Sequence, residues 1–238
     1  TWGSNVPLTR TPDAHFLTEV RYKGTKVVSV SPDYAESTTS SDAWLNVKAG
    51  TDAALAMAMG HVILKEYYID KETPYFKEYA KEFTDMPFLV RVEDINGTVQ
   101  PGRFLNAKDL GRQEEGADFQ MVLIDELTNE IVVPNGTMGE RHTNPQKWNL
   151  RLENRDTGAK IDPRLSVFDQ REDVTIVKLP YFGDEEHEGV IERAIPTITV
   201  QTADGPVKVT TVYDLILANY GIDRGIGGEA VSYTHLRA

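Results

Sequence analysis

The pattern of the chain changes character near residue 90, and this limits the possible folds more than any other feature. Before that point, short apolar or β-branched runs alternate with segments of helical spacing. Thr11-Pro12 reads as an N-cap followed by proline at the first helical position. Ala14, Leu17 and Val20 then share a face, and Gly24 closes the helix. Residues 26–30 form a β-branched run broken by Ser31-Pro32-Asp33, and residues 43–47 suit a second short strand. Lys48-Ala49-Gly50 turns the chain, and Thr51 can cap a helix running to about Lys65. Thr73-Pro74 opens another, with Phe76, Tyr79, Ala80 and Phe83 at helical spacing. Such alternation predicts βαβ units: an α/β chain contributing part of a doubly wound, Rossmann-like parallel sheet. Sheets of that kind bind ligands at the carboxyl ends of their strands.

From residue 88 the signals are hairpins. Asn96-Gly97 is the strongest, between 88–92 and 98–99. Residues 119–124 can pair with 131–133 across Thr128-Asn129, and 197–201 with 207–211 across Ala203-Asp204-Gly205. Residues 134–195 read as polar and irregular, with Pro134, Pro145, Pro163 and Pro180. A last helix runs from Val212 to Tyr220, with Thr211 and Asp214 spaced as a capping box and Gly221 at its end. The expected division is therefore an α/β part at 1–90, a β-hairpin-rich insertion at 91–210 and a helix returning to the α/β part at 211–230. Residues 231–238 resemble sequencing read-through and read as a non-native tail.

Composition removes several function classes. A formal net charge of −12 without clustered Lys or Arg argues against nucleic acid. The chain has no cysteine, which excludes disulfides, thiolate zinc sites and Cys-ligated iron–sulfur clusters within it. No apolar run approaches the ~20 residues that span a bilayer. No Gly-x-Ser-x-Gly elbow, His-Glu-x-x-His helix or P-loop occurs.

Three loops remain as candidates. Thr1-Trp2-Gly3-Ser4-Asn5 can present backbone and side-chain donors to a phosphate, although taken alone an ordinary turn is the better reading. Pro32-Asp33 places a carboxylate just past a strand, where ribose hydroxyls are met, although a loop Asp bonded to its own backbone has the same sequence. Gly50-Thr51-Asp52 opens an apolar helix, which suits an anionic or polar ligand, although a plain cap is the commoner cause. That helix, with Ala53, Ala54, Leu55, Ala56, Met57, Ala58 and Met59, is apolar nearly all round and is expected to be buried. Asp184-Glu185-Glu186-His187-Glu188 has metal-ligand residue types without ligand spacing and reads as a solvated loop. His61 reads as a satisfied core histidine, and His15 as a helix-surface residue or one facing a cofactor.

These residues sit within longer runs that resemble a known family. The runs are Trp2-Gly3-Ser4-Asn5-Val6-Pro7, Asp13-Ala14-His15-Phe16, Ser31-Pro32-Asp33-Tyr34-Ala35-Glu36 and Gly50-Thr51-Asp52-Ala53-Ala54-Leu55, followed by Phe83-Thr84-Asp85-Met86-Pro87, Pro180-Tyr181-Phe182-Gly183 and Thr210-Thr211-Val212-Tyr213-Asp214-Leu215. Together they resemble the catalytic subunit of membrane-bound respiratory nitrate reductases, up to about Gly228. The Gly-Thr-Asp-x-Ala-Leu pattern alone indicates the wider molybdopterin oxidoreductase superfamily; the run from Trp2 to Phe16 is more specific.

The resemblance implies an internal stretch of a subunit that reduces nitrate to nitrite with a molybdenum bis(molybdopterin guanine dinucleotide) cofactor. Gly3, Ser4, Asn5, Pro32, Asp33, Gly50, Thr51 and Asp52 would hold a nucleotide end. Asp33 would meet guanosine hydroxyls and Asp52 the guanine edge or a neighbouring polar group, and the two roles are interchangeable by analogy alone. The metal-ligating aspartate and the 4Fe-4S cysteines would lie upstream of Thr1, so no catalytic residue is expected here. The implied partners are an iron–sulfur beta subunit and a haem-b membrane gamma subunit, with the parent peripheral to the cytoplasmic face of the cell membrane. Nitrite oxidoreductases, selenate or chlorate reductases, and a non-enzymatic α/β nucleotide-binding module are the competing readings. The isolated piece is expected to be marginally stable, because the parallel sheet would lack its earlier strands and residues 53–64 would lose their cover.

Overall fold

The computed structural model describes residues 1–135, 151–180 and 189–228. They form two compact units, residues 1–57 and residues 58–238.

The first unit is built on parallel pairing. Strand β1 (Val28–Ser31) pairs with β2 (Ala43–Asn46) in parallel register, Val28 opposite Ala43 and Ser31 opposite Asn46. Trp2 adds a parallel bridge to Val30 on the other side of β1, fixed by Thr1 N donating to the Val28 carbonyl at 2.6 Å and Val30 N donating to the Thr1 carbonyl at 2.9 Å. A short turn of helix, α1 (Val6–Thr9), leads into α2 (Thr11–Tyr22). Helix α2 starts where proline places it, but its N-cap is Arg10; Thr11 lies inside the helix and donates its hydroxyl to the Leu8 carbonyl. Helix α3 (Glu36–Thr39) follows β1, and α4 (Asp52–Ile63) follows β2. The side chain of Asp42 accepts from Arg21 and from the Val27 backbone N–H, tying α2 to β1. The Val27 hydrogen bond first, and then the Arg21 guanidinium, hold the Asp42 carboxyl below the usual carboxylate range.

Helix α4 corrects one expectation. It is as apolar as its sequence indicated, yet none of its residues is buried, and Met59, Val62 and Ile63 are about half exposed. Its Gly60 and His61 meet Tyr220, the ring of Tyr220 standing against Gly60 and its carbonyl bonding His61 Nδ1 at 2.8 Å. In the first unit Val27 is the one buried hydrophobic side chain among those described.

The second unit corrects the expected sheet. A π-helical segment (Leu64–Asp70) precedes α5 (Pro74–Phe83), and the chain then forms β3 (Leu89–Ile95) and β4 (Thr98–Phe104). Asn96 and Gly97 both have positive φ, +57° and +81°, which gives a tight antiparallel hairpin with Ile95 opposite Thr98. Small pairs β5 (Leu123–Ile124) with β6 (Ile131–Val132), and β7 (Pro134–Asn135) with β8 (Arg151–Asn154), come next. Strands β9 (Asp173–Pro180), β10 (Val190–Thr202) and β11 (Gly205–Thr211) complete a five-stranded sheet of order β4-β3-β11-β10-β9. It is antiparallel throughout, so the main sheet is not Rossmann-like, and the fold is a mixed α/β one. The reason lies in the connections: parallel neighbours need crossovers of a dozen or more residues, whereas two-residue turns such as Ala203-Asp204 fold a strand back beside its predecessor. The sheet curls until its outer strands β4 and β9 touch.

Residues 134–195, expected to be irregular, hold β7, β8, β9 and half of β10. Pro196 is tolerated inside β10 because residues 190–197 pair with β9 and residues 198–202 with β11, so its missing N–H falls where β10 changes partners. Leu89, Leu105, Val122, Val167 and Val209 are fully buried inside the curl. Residues 184–188 and 231–238 lie outside the described residues.

Helix α6 (Val212–Asn219) packs on β10 and β11. Thr211 caps it, accepting from Asp214 N at 3.1 Å. The Asp214 carboxylate does not return to the cap backbone as a capping box would have it. It is wholly buried and accepts from Ser166 Oγ (2.6 Å), Val167 N (2.9 Å), Thr211 Oγ1 (2.9 Å) and Arg224 Nη1 (2.6 Å).

Two outcomes are expected. In amide hydrogen exchange, residues 1–57 should exchange far faster than the sheet amides of Leu89 and Val209, because their buried apolar surface is so small; equal protection would contradict this. The second concerns Asp109, which accepts from both Nη atoms of Arg103 and from Asn106 N. Burial raises its pKa, but these hydrogen bonds outweigh it and the net shift is downward. A depressed folded pKa contributes stability above the unfolded value of about 3.9 and loses it as pH falls through the folded one. Asp109→Asn should therefore cost about 1.5–3 kcal/mol at pH 7, and less at pH 3, in urea unfolding followed by far-UV circular dichroism. An equal cost at both pH values would exclude the ion pair as its source.

Candidate functional site

Parallel strands all point the same way, so the segments leaving them collect at one edge of the first unit. The chain leaving Trp2 carries Gly3, Ser4 and Asn5; the chain leaving β1 carries Pro32 and Asp33; the chain leaving β2 carries Gly50, Thr51 and Asp52. The three candidate loops are thus the carboxyl-end loops of three adjacent parallel segments.

Two contacts join them. Trp2 Nε1 donates to Asp52 Oδ1 at 2.5 Å, linking the first loop to the third. Asn5 Nδ2 donates to Glu36 Oε2 at 3.0 Å, linking the first loop to α3, which follows the second. The Asp33 loop is closed locally: Ser31 Oγ donates to Asp33 Oδ1 at 2.9 Å, and Trp44 Nε1 donates to the Ser31 carbonyl at 2.9 Å. The Tyr34 and Trp44 rings meet edge to face at 5.3 Å. Thr51 does not cap α4 through its side chain; its hydroxyl donates to the Lys48 carbonyl at 2.7 Å. Gly3 and Gly50 sit at φ +67° and +85°, a backbone that residues with a Cβ rarely adopt.

The donor and acceptor balance defines what this edge can bind. Gly3, Ser4, Pro32, Asp33, Gly50, Thr51 and Asp52 are exposed, and Asn5 is half-buried. The Oδ1 atom of Asn5 is buried with no hydrogen-bond partner. Asp33 and Asp52 each have a second carboxylate oxygen to which no described side chain donates. With Glu36, three carboxylates gather near these loops, and like charge disfavours a phosphate beside them. Acceptors of this kind suit hydroxyls and ring N–H groups, the donors of a nucleoside, better than a diphosphate. The Asn5 side-chain hydrogen bond, together with the Glu36 backbone N–H, holds the Glu36 carboxyl below its ordinary value.

The sequence placed Trp2 in the first candidate loop without a role of its own, and Glu36 entered only as the last residue of the Ser31–Glu36 run. A tryptophan beside a glycine in a polar loop was the available signal. His15 is an exposed helix residue, packed edge to face on Phe16 at 5.3 Å. His61 is half-buried and pairs through Nδ1 with the Tyr220 carbonyl at 2.8 Å. Among the described residues no group of three or more His, Asp or Glu side chains is placed to hold a metal ion.

Asn5→Ala should raise the Glu36 carboxyl pKa toward the ordinary glutamate value. A ¹³C-detected carboxyl titration checks this, and an unchanged Glu36 curve would mean that the Asn5 contact is not formed in solution.

The molybdopterin oxidoreductase family model matches residues 1–217. The nitrate reductase alpha chain of Bacillus subtilis (strain 168) is 53% identical over 234 residues, 98% of this chain and 19% of the relative. The respiratory nitrate reductase 1 alpha chain of Escherichia coli (strain K12) is 46% identical over 251 residues, all of this chain and 20% of the relative. The perchlorate reductase subunit alpha of Dechloromonas aromatica (strain RCB) is 39% identical over 140 residues, 59% of this chain and 14% of the relative. The chain thus spans about a fifth of the length of the nitrate reductase relatives it matches. By the extent of the family match and the runs that carry it, this chain belongs to the molybdopterin oxidoreductase family.

Proposed function

We propose that this chain is the part of a nitrate reductase alpha subunit whose loops hold the guanine-nucleotide end of a molybdenum cofactor. The observation that carries the reading is the match to nitrate reductase alpha chains along nearly all of the chain, against a weaker and shorter match to perchlorate reductase. The substrate of the parent enzyme is nitrate and its product nitrite. When bound, the molybdenum bis(molybdopterin guanine dinucleotide) group supplies the two-electron oxygen-transfer chemistry, and the protein binds and orients it.

The residues fit the nucleoside portion of that group. Asp33 accepts from guanosine hydroxyls and Asp52 from the guanine edge, each using the carboxylate oxygen left over from its protein contact. Asn5 Oδ1 is the buried acceptor of the first loop. Gly3, Ser4, Gly50 and Thr51 contribute backbone and hydroxyl groups, and Pro32 stiffens the turn that presents Asp33. Trp2 is a positioning residue, holding Asp52 through its indole N–H.

In the parent subunit β1 and β2 belong to a doubly wound parallel sheet. Residues 1–90 form part of this dinucleotide-binding domain, 91–210 a β-rich insertion, and 211–230 the helix returning from it. The partners are an iron–sulfur beta subunit and a haem-b membrane gamma subunit, with the complex on the cytoplasmic face of the membrane. No helix among the described residues is long and apolar enough to cross a bilayer.

The test is made in the full-length subunit with Asp33→Ala and Asp52→Ala. Each removes a hydrogen bond to a charged group, worth about 1.5–3 kcal/mol, or roughly 10–100-fold in affinity. The expected result is a loss of guanine released by acid hydrolysis per mole of purified protein. Full guanine content in both variants would overturn the assignment of these loops.

A further inference from the structure

In the second unit, the tip of the β3–β4 hairpin brings together the groups of a covalent self-modification. Asn96 and Gly97 form its two-residue turn, at φ +57° and +81°, with Ile95 opposite Thr98. Both turn residues are exposed. An asparagine followed by glycine carries its own nucleophile: the backbone nitrogen of the second residue can attack the side-chain carboxamide carbon of the first and close a five-membered ring. Glycine sets no steric barrier to that closure. A Cβ at Gly97 would meet nothing within 4 Å, so the ring also has room.

The same nitrogen is engaged elsewhere. Gly97 N donates to Asp94 Oδ1 at 2.7 Å. Asp94 is exposed, and nearby Arg91 does not neutralise it, pairing instead with Glu93 (3.1 Å) and Asp109 (3.4 Å). Ring closure requires the Gly97 nitrogen as its deprotonated anion. A carboxylate accepting from it opposes this in two ways. It keeps the N–H turned toward Asp94, and its negative charge disfavours a second one at hydrogen-bond distance. A carboxylate that is protonated only near about pH 4 is too weak a base to remove the amide proton itself.

We propose that Asn96 is a deamidation site held in check by Asp94. The step needs no reagent but water. The bond from Gly97 N to Asn96 Cγ forms and the Cγ–Nδ2 bond breaks. The amide proton leaves with the Nδ2 group as ammonia, and water then opens the succinimide ring. Cleavage of the new bond gives aspartate. Cleavage of the original peptide bond gives isoaspartate, whose side-chain carbon joins the main chain. Either product adds a negative charge beside Asp94. Isoaspartate also lengthens a turn that the Ile95–Thr98 pair limits to two residues, so β3 and β4 lose register at the tip. This site is independent of the nucleotide loops, so either proposal can fail alone.

The test incubates the full chain at mildly alkaline pH and follows aspartate and isoaspartate at position 96 by peptide mapping and mass spectrometry. A synthetic peptide of residues 90–100 supplies the unrestrained rate. The expected result is a rate at least tenfold slower in the folded chain than in the peptide. Asp94→Ala should raise the rate in the chain at least threefold. Asp94→Asn, which keeps an acceptor and loses the charge, should raise it by less. Hydrogen exchange at the Thr98 amide should stay as in the unsubstituted chain; a rise in deamidation matched by faster exchange there would mean that the hairpin had opened, and would overturn the role given to Asp94. Equal rates in chain and peptide, or no change in either variant, would overturn the proposal outright. If far-UV circular dichroism shows the isolated chain to be unfolded, the same variants are compared in the complete subunit, where the same outcomes decide.

Discussion

Parallel pairing is the constraint from which the candidate site follows. Because Trp2, β1 and β2 run in one direction, every segment leaving them emerges at the same edge, and residues 3–5, 32–33 and 50–52 become neighbours although some forty-five positions separate the first from the last. Two side chains then convert neighbouring loops into one surface. The Trp2 indole N–H anchors Asp52, and the Asn5 amide anchors Glu36. Each contact uses one oxygen of a carboxylate, so the same residues that brace the loops remain able to accept from a ligand.

The second unit depends on a different interaction. Asp214 is a wholly buried charge that receives four donors from three places: the 166–167 segment, the Thr211 cap and Arg224. A buried carboxylate is tolerated only when it is paired and fully hydrogen-bonded, so these donors must be in register before α6 can seat on β10 and β11. The arrangement also fixes Arg224. Its guanidinium is held by Asp214 and lies over the Phe168 ring.

Local signals were legible in the sequence wherever a single residue type decides the backbone. Asn96-Gly97 specified a hairpin because both residues tolerate positive φ, and the strands beside it formed as expected, though longer. Thr211 capped α6, and proline marked the first turns of α2 and α5. What failed were inferences from pattern to partner. The alternation before residue 90 implied a large parallel sheet, but the described parallel pairing is confined to β1, β2 and the Trp2 bridge. The larger sheet is antiparallel, made by hairpin turns that were each visible but whose joint order β4-β3-β11-β10-β9 depends on the pairing of β3 with β11, strands more than a hundred residues apart. Helix α4 illustrates the same limit: apolar composition states that a face wants cover, and says nothing about what supplies it.

The site was legible in a similarly divided way. Glycines at positions 3 and 50 and carboxylates at 33 and 52 could be picked out because their chemistry is intrinsic to the residue. The roles of Trp2 and Glu36 could not, since hydrogen bonds between residues 50 and 31 positions apart exist only once the strands are paired. The electrostatic consequence is similar. Asp33, Glu36 and Asp52 are unremarkable in a chain of net charge −12, yet gathered at one strand edge they turn a place where backbone N–H groups would otherwise favour phosphate into one that favours hydroxyl and ring N–H donors. The strand ends bring the three loops to one edge, and the three carboxylates set the polarity of that edge.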